Sequence, residues 1–488
     1  MIGSLFQNNM KVYIKDYYMI RNSFLSLKIT KQKAEYYLII STIIFSFFYF
    51  VFRSIIMDNF IWIIIFPCIC IVYKLMDTNR LRSITYTRLD KLIFIYLSFG
   101  ISMTVIGVLI APDKINTIEI FSHFYLPSVI YFIARNYTAV SMFNIIKVIK
   151  LIWVLAIILI IDIVTENYIY SHHSSTMIPW VAVELKDVGR FASVQHLHES
   201  GYDKILTLLT SSKTAGMVMA SFFCFIFPFS LKKELREYFL FINIKSIITN
   251  RLINLIILVS ILFCSIGILV TNKTSLLSII MILLVFILIE RSFKVMLMTL
   301  LSLLFSGFVF YDKMVQMFIG TFITQYTHIF DTNLNRFGSS VFTYIFDFST
   351  LIEGYKGHQF FDYIFGKYII SGSPAGNPFP FQTELRVFST PLYFGLFWTI
   401  IILMLAYYIL KICFRLIKSK KQSFFNYLGL SFFGFFMIYF LDIHYPVFFR
   451  HGPIELLFVM MGTLSSCYMF EKQPYQELNG KDYYGFNI

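Results

Sequence analysis

Charge is scarce in this sequence. Only 14% of its 488 residues are Asp, Glu, Lys or Arg, where soluble domains carry about 25%. That argues against a soluble enzyme. Cysteine is also scarce. The six (Cys68, Cys70, Cys224, Cys264, Cys413 and Cys467) lie in or beside apolar segments, so neither a zinc spacing nor a disulfide framework follows. For Cys68 and Cys70, two apart inside one span, packing is the expected role. No two carboxylates have the spacing of a metal site, and no Asp-x-Asp occurs. The opening "MIGSLFQNNMKVYIKDYYMI" is too polar for the apolar region of a cleavable signal peptide, and none is expected. Internal repeats and low-complexity tracts are missing too.

Apolar residues are abundant, at 58%. They gather into windows of about 20, long enough to cross a bilayer as helices. Twelve spans are expected, at 35–52, 57–74, 92–111, 118–134, 142–164, 205–229, 252–270, 275–289, 295–311, 392–410, 424–441 and 453–470. Pro67, Pro127 and Pro228 are expected to kink their helices. The fold class is an all-α polytopic membrane protein.

The formal net charge of +14 would suggest nucleic acid in a soluble protein. Here it reads as topology, because basic residues collect in cytoplasmic loops. With the N-terminus inside, 28 of the 41 Lys and Arg fall on the cytoplasmic side. Both termini are therefore expected in the cytoplasm, with a tail at 1–34, a membrane domain at 35–470 and a tail at 471–488. Two long loops face outside, 165–204 and 312–391. In the second, "RFGSSVFTYIFDFSTLIEGYKGHQFFDYIFGKYII" spaces its aromatics as a helix does, so short amphipathic helices are expected between about 336 and 370. Reporter fusions after Gly201 and after Gly376 are expected to report outside; a cytoplasmic signal at either would defeat this topology.

The chemistry-bearing residues cluster on that outside face. Of nine histidines, eight fall in outside loops and one, His123, in a span. "GRFASVQHLHESG" opens on Gly189 and carries Arg190, His196, His198 and Glu199. Arg336 opens a similar pattern, "NRFGS". Arginine offers a planar fork of donors that suits phosphate oxygens; snorkelling at the membrane surface is the plainer role for both. Lys213 falls within the sixth span, and Lys273 at the mouth of the seventh and eighth. A charge at membrane depth is costly and usually faces a cavity or a partner. Glu384, in "PFPFQTELRVFSTPLYFGLFW", is the leading carboxylate. Glu199, Asp347, Glu353 and His358 are its rivals as a base.

The order of these features resembles the Wzy-type O-antigen and capsule repeat-unit polymerases and the related O-antigen ligases. Arg190 to Gly201 fits an Arg-x10-Gly spacing, and "SSKTAGMVMASFF" follows as a span with small residues. Asn272-Lys273 stands where the superfamily carries Ser-Arg, and Arg336 opens the largest loop. Glu384 lies eleven residues before Gly395, where ligases place a His. The resemblance covers about 185–410 and implies a GT-C-like membrane glycosyltransferase of the bacterial inner membrane, active on its periplasmic face. Its substrates would be undecaprenyl-diphosphate-linked oligosaccharides. Arg190, Arg336 and Lys273 would hold the diphosphate, and Glu384, or else His358, would act as base. The resemblance implies no metal, cofactor or nucleic acid; a chain-length regulator and a flippase are the expected partners. Glu in place of His favours polymerase over ligase. The other readings are a ligase acting on the lipid A core, a lipid-linked oligosaccharide flippase or secondary transporter, and a cell-wall glycan polymerase using the same lipid carrier. Transporters usually show repeated halves and several mid-span charges; this sequence has neither clear halves nor several such charges.

Overall fold

The structure is a computed structural model that describes residues 36–41, 43–44, 86–110, 121–173, 212–231, 282–286, 297, 301, 364, 386–419, 423–441 and 453–472. The described residues are almost entirely helical, with no strand among them. Seven helices carry the architecture: α1 Arg88–Ile110, α2 Leu126–Thr138, α3 Met142–His173, α4 Ser212–Leu231, α5 Arg386–Ile417, α6 Ser423–Leu441 and α7 Pro453–Lys472. Each coincides with a segment expected to cross the membrane. Four contain stretches long and apolar enough to do so: Arg88–Ile106, Met142–Asp162, Gly395–Ile417 and Ile454–Lys472. The protein is membrane-embedded. Expected spans 57–74 and 252–270 lie outside the described residues.

Local sequence sets the helix ends. Thr87 caps α1: the Asp90 backbone N–H donates to Thr87 Oγ1 at 3.2 Å, and the Thr87 N–H donates to Asp90 Oδ2 at 2.6 Å. That reciprocal pair is a capping box with Asp in the third position. Ahead of Pro127, which takes the second position of α2, the chain runs through a π-helical turn, Phe121–Tyr125. Proline has no N–H to give the carbonyl four residues back. The Tyr96 hydroxyl donates to that carbonyl, on His123, at 2.6 Å. Pro228 sits inside the last turn of α4. α3 continues to His173, past the expected end of the span at 164, so His172 and His173 are helical. Its apolar stretch still stops at Asp162.

Packing follows a centre-and-rim pattern. Nearly every described side chain of α6 and α7 is buried. Rings fill this interior: Phe225 of α4 meets Phe432 and Phe435 of α6 edge-on, and Phe458 of α7 meets Tyr96 of α1. By contrast, α1 exposes Phe94, Ile95, Ile101 and Val105, and α5 exposes Leu396, Ile400, Leu403 and Tyr407. Such apolar stripes are stable where the solvent is lipid. The described cysteines, Cys224, Cys413 and Cys467, are buried free thiols; Cys68 and Cys70 lie outside the described residues.

The α2–α7 contact is the closest. A Cβ on Gly462 would stand 2.7 Å from the Tyr131 carbonyl oxygen and 2.9 Å from the Arg135 nitrogen. Gly462 and Ser466 form a small-xxx-small pair that lets the two backbones touch.

Candidate functional site

Two polar features stand at opposite ends of this bundle. At one end, α5 changes direction. Gly395 has φ 87° and ψ 159°, so α5 is two helices joined at a break, one running from Arg386 to the break and one from Gly395 to Ile417. A side chain at that φ is strained, and glycine is the residue that adopts it freely. Thr399 Oγ1 donates to the Gly395 carbonyl at 3.0 Å and steadies the start of the second helix. Trp398, one turn on, is buried. Phe397 packs on Phe99 of α1, which in turn meets Phe124 in the π-helical turn beside His123. His123 itself is buried. From Gly395 to Arg415 the helix rises roughly 30 Å, about the thickness of the hydrocarbon layer.

Glu384 lies two residues before α5 in the sequence, so the described structure begins where that candidate ends. Glu384, His358, Arg190, Arg336 and Lys273 all lie outside the described residues, as do Glu199, Asp347 and Glu353. The helices expected between 336 and 370 fall there too, apart from Ile364, which is helical. Lys213 falls in the first turn of α4 as described, Ser212–Leu231, and the expected start of that span at 205 lies outside the described residues. Among the described residues no group of His, Cys, Asp and Glu could hold a metal ion.

At the other end is a buried polar network that sequence reasoning missed. Asp90 Oδ2 is occupied by the capping box, which adds a Thr87 Oγ1 donor at 2.8 Å. Its Oδ1 accepts the Tyr131 hydroxyl at 2.6 Å and forms an ion pair with Arg135 Nε at 3.5 Å. Asp90 and Arg135 are each about 1% exposed. Arg135 Nη1 donates to Ser466 Oγ at 3.1 Å, and Ser466 shares a 2.7 Å hydrogen bond with Thr138. Ser465 meets Thr87 at 2.9 Å. The network therefore ties the start of α1, the end of α2 and the last turns of α7 into one joint.

The joint also orders the helix ends. Beside it, Arg415 at the end of α5 pairs with Glu471 at 3.3 Å. Tyr36 stacks on Tyr137, and Lys147 of α3 stands 5.7 Å from the Tyr36 ring centroid. All of these ends belong to segments that the Lys and Arg count places on a single side. Asp90 and Arg135 each sit at the margin of an apolar run, where sequence alone reads a charge as facing water.

Comparison with protein-family models, with curated proteins and with solved structures finds no match to this chain.

Proposed function

We propose that this protein polymerises undecaprenyl-diphosphate-linked oligosaccharide repeat units on the outer face of the bacterial inner membrane. The observation that carries the reading is the break at Gly395. Eleven residues after Glu384, a short helix ends at a glycine and a membrane-crossing helix starts. A base carried ahead of such a break sits beside the bilayer surface, where a lipid-linked diphosphate presents its anomeric carbon. The order of Arg190, Lys273, Arg336 and Glu384 along the chain supports the same reading.

In this mechanism a hydroxyl of one lipid-linked unit attacks the anomeric carbon of another. The new glycosidic bond forms as the bond to undecaprenyl diphosphate breaks. Glu384 takes the proton of the attacking hydroxyl. Arg190 and Arg336, with Lys273, stabilise the departing diphosphate by charge-assisted hydrogen bonds. Both termini are placed in the cytoplasm on the Lys and Arg count. The second reading, transfer of finished glycan to the lipid A core, uses the same donor; Glu384 in place of a His favours polymerisation.

Deletion of the gene followed by a gel of surface polysaccharide tests the reading. The polymerase reading requires loss of the ladder with a single repeat unit retained. Loss of every unit from lipid A would establish the ligase, and an unchanged ladder would reject both. Within the polymerase, Arg190→Ala or Arg336→Ala is expected to abolish polymer at unchanged protein level, and Arg→Lys to rescue only in part because the planar fork is lost. Full activity of both Lys variants would remove the bidentate argument.

A further inference from the structure

The end of the bundle that carries the Asp90–Arg135 joint also holds a cavity of about 720 Å³, between the start of α1 and the last turns of α5 and α7. Four cations line it from three helices: Arg88, Lys411, Arg415 and Lys472. Glu471 neutralises one of them, Arg415. Asp90, the other carboxylate nearby among the described residues, is turned inward and engaged by Tyr131 and Arg135. Arg88, Lys411 and Lys472 form no ion pair among the described residues, and all three are exposed at the rim. Like charges brought together from separate helices repel, and an anion between them relieves the repulsion.

The lining is also built to hold that charge in place. Tyr468 stands under two of the cations, with the Arg415 guanidinium 5.2 Å and the Lys472 ammonium 4.4 Å from its ring centroid. Lys411 lies 6.0 Å from the ring centroid of Tyr408. Beneath the cationic rim, Thr87, Leu89 and Ile412 form a buried floor. The volume suits a small organic ligand. Snorkelling alone would spread these side chains around the bundle toward water. Instead they converge on one concavity.

We propose that this cavity binds the phosphodiester headgroup of an anionic membrane lipid. A phosphate-bearing solute would share the charge recognition, but the surroundings favour a lipid. The cavity opens between helices whose outer faces are apolar, with Phe94 and Ile95 exposed on α1 and Tyr407 and Phe414 exposed on α5. Acyl chains lying along those stripes place a phosphodiester level with the cationic rim. Basic pockets between membrane helices are recognised sites for anionic headgroups. The site stands at the opposite end of the bundle from Gly395 and does not depend on the polymerase reading.

The test uses the full-length protein, purified in a neutral detergent, with phosphatidylglycerol and phosphatidylcholine as probes and bound lipid counted by native mass spectrometry. The wild type is expected to retain phosphatidylglycerol and to release phosphatidylcholine. Removing the unpaired cations in Arg88→Gln/Lys411→Gln/Lys472→Gln is expected to weaken phosphatidylglycerol binding by roughly fivefold per charge, on the order of a hundredfold together. Lys411→Arg/Lys472→Arg is expected to bind as the wild type does, which separates lost charge from lost packing. All of these positions are exposed, and the melting temperature without lipid reports whether each variant is folded. Single substitutions carry the same test if the triple variant fails to fold. Equal retention of the two lipids by the wild type, or undiminished phosphatidylglycerol binding by the folded Gln variants, would overturn the proposal. So would inorganic phosphate binding as tightly as the lipid and displacing it, since the ligand would then be a soluble phosphate.

Discussion

Removing one partner of the Asp90–Arg135 pair is expected to cost about 3–5 kcal/mol of stability. The reason is the charge left behind. Asp90→Ala leaves the Arg135 guanidinium 1% exposed with its counter-ion gone. Arg135→Ala leaves Asp90 buried with only neutral donors from Thr87, Tyr131 and Ser465. Hydrogen bonds between membrane helices average only about 0.6 kcal/mol in double-mutant cycles, so the losses of Ser466 and Tyr131 contacts are the smaller part. The paired variant Asp90→Asn/Arg135→Met removes both charges and is expected to lose much less than the two single losses combined. Denaturation in mixed micelles reads this out. Single variants within about 0.5 kcal/mol of the wild type, the range of ordinary surface changes, would mean that the pair carries little.

That joint marks the boundary of what the sequence made legible. Apolar runs specified helices, because a helix satisfies its own backbone hydrogen bonds in lipid. α1, α6 and α7 fall within a few residues of the segments expected from hydropathy, whereas α3 and α5 run further than expected. The His123 carbonyl accepts the hydroxyl of Tyr96, 27 residues earlier in the chain, a contact local pattern does not reveal. Asp90 and Arg135 were unreadable for the same reason. Each sits at the edge of an apolar run, where a charge costs little if it faces water. Only the approach of α2 to α7, permitted by Gly462, encloses them. Likewise, Arg88, Lys411 and Lys472 entered the count of basic residues on one side, while their convergence on one cavity is a property of three helix ends together. The spacing of Glu384 to Gly395 is local and so readable in sequence, while Glu384 itself lies outside the described residues. The left-handed backbone at that glycine gives the spacing a physical meaning: it measures the distance along the chain from a carboxylate to the start of a membrane helix.

Glu384→Gln is expected to leave the protein folded and bound to lipid-linked donor, and to reduce chain growth at least about 100-fold, the lower range for loss of a general base. Gln keeps the size of Glu and can still accept a hydrogen bond, but it cannot take up a proton at neutral pH. Under the proposed mechanism Glu384 shares its cavity with Arg190 and Arg336, which hold it ionised between turnovers. When the diphosphate engages those arginines, their pull on the carboxylate weakens and its basicity rises as the acceptor hydroxyl arrives. A competing role is structural. Arg386 follows two residues later, at the start of α5, and a Glu384–Arg386 pair would only fix the entry to that helix. Arg386→Gln separates the two. If Glu384 is the base, Arg386→Gln retains most of the polymer while Glu384→Gln makes none. If the pair is structural, the two variants lose polymer together and to the same extent, and Glu384→Gln/Arg386→Gln is no worse than either alone. Normal polymer from Glu384→Gln would end the assignment outright. The same gel with His358→Gln would then ask whether the histidine takes the proton.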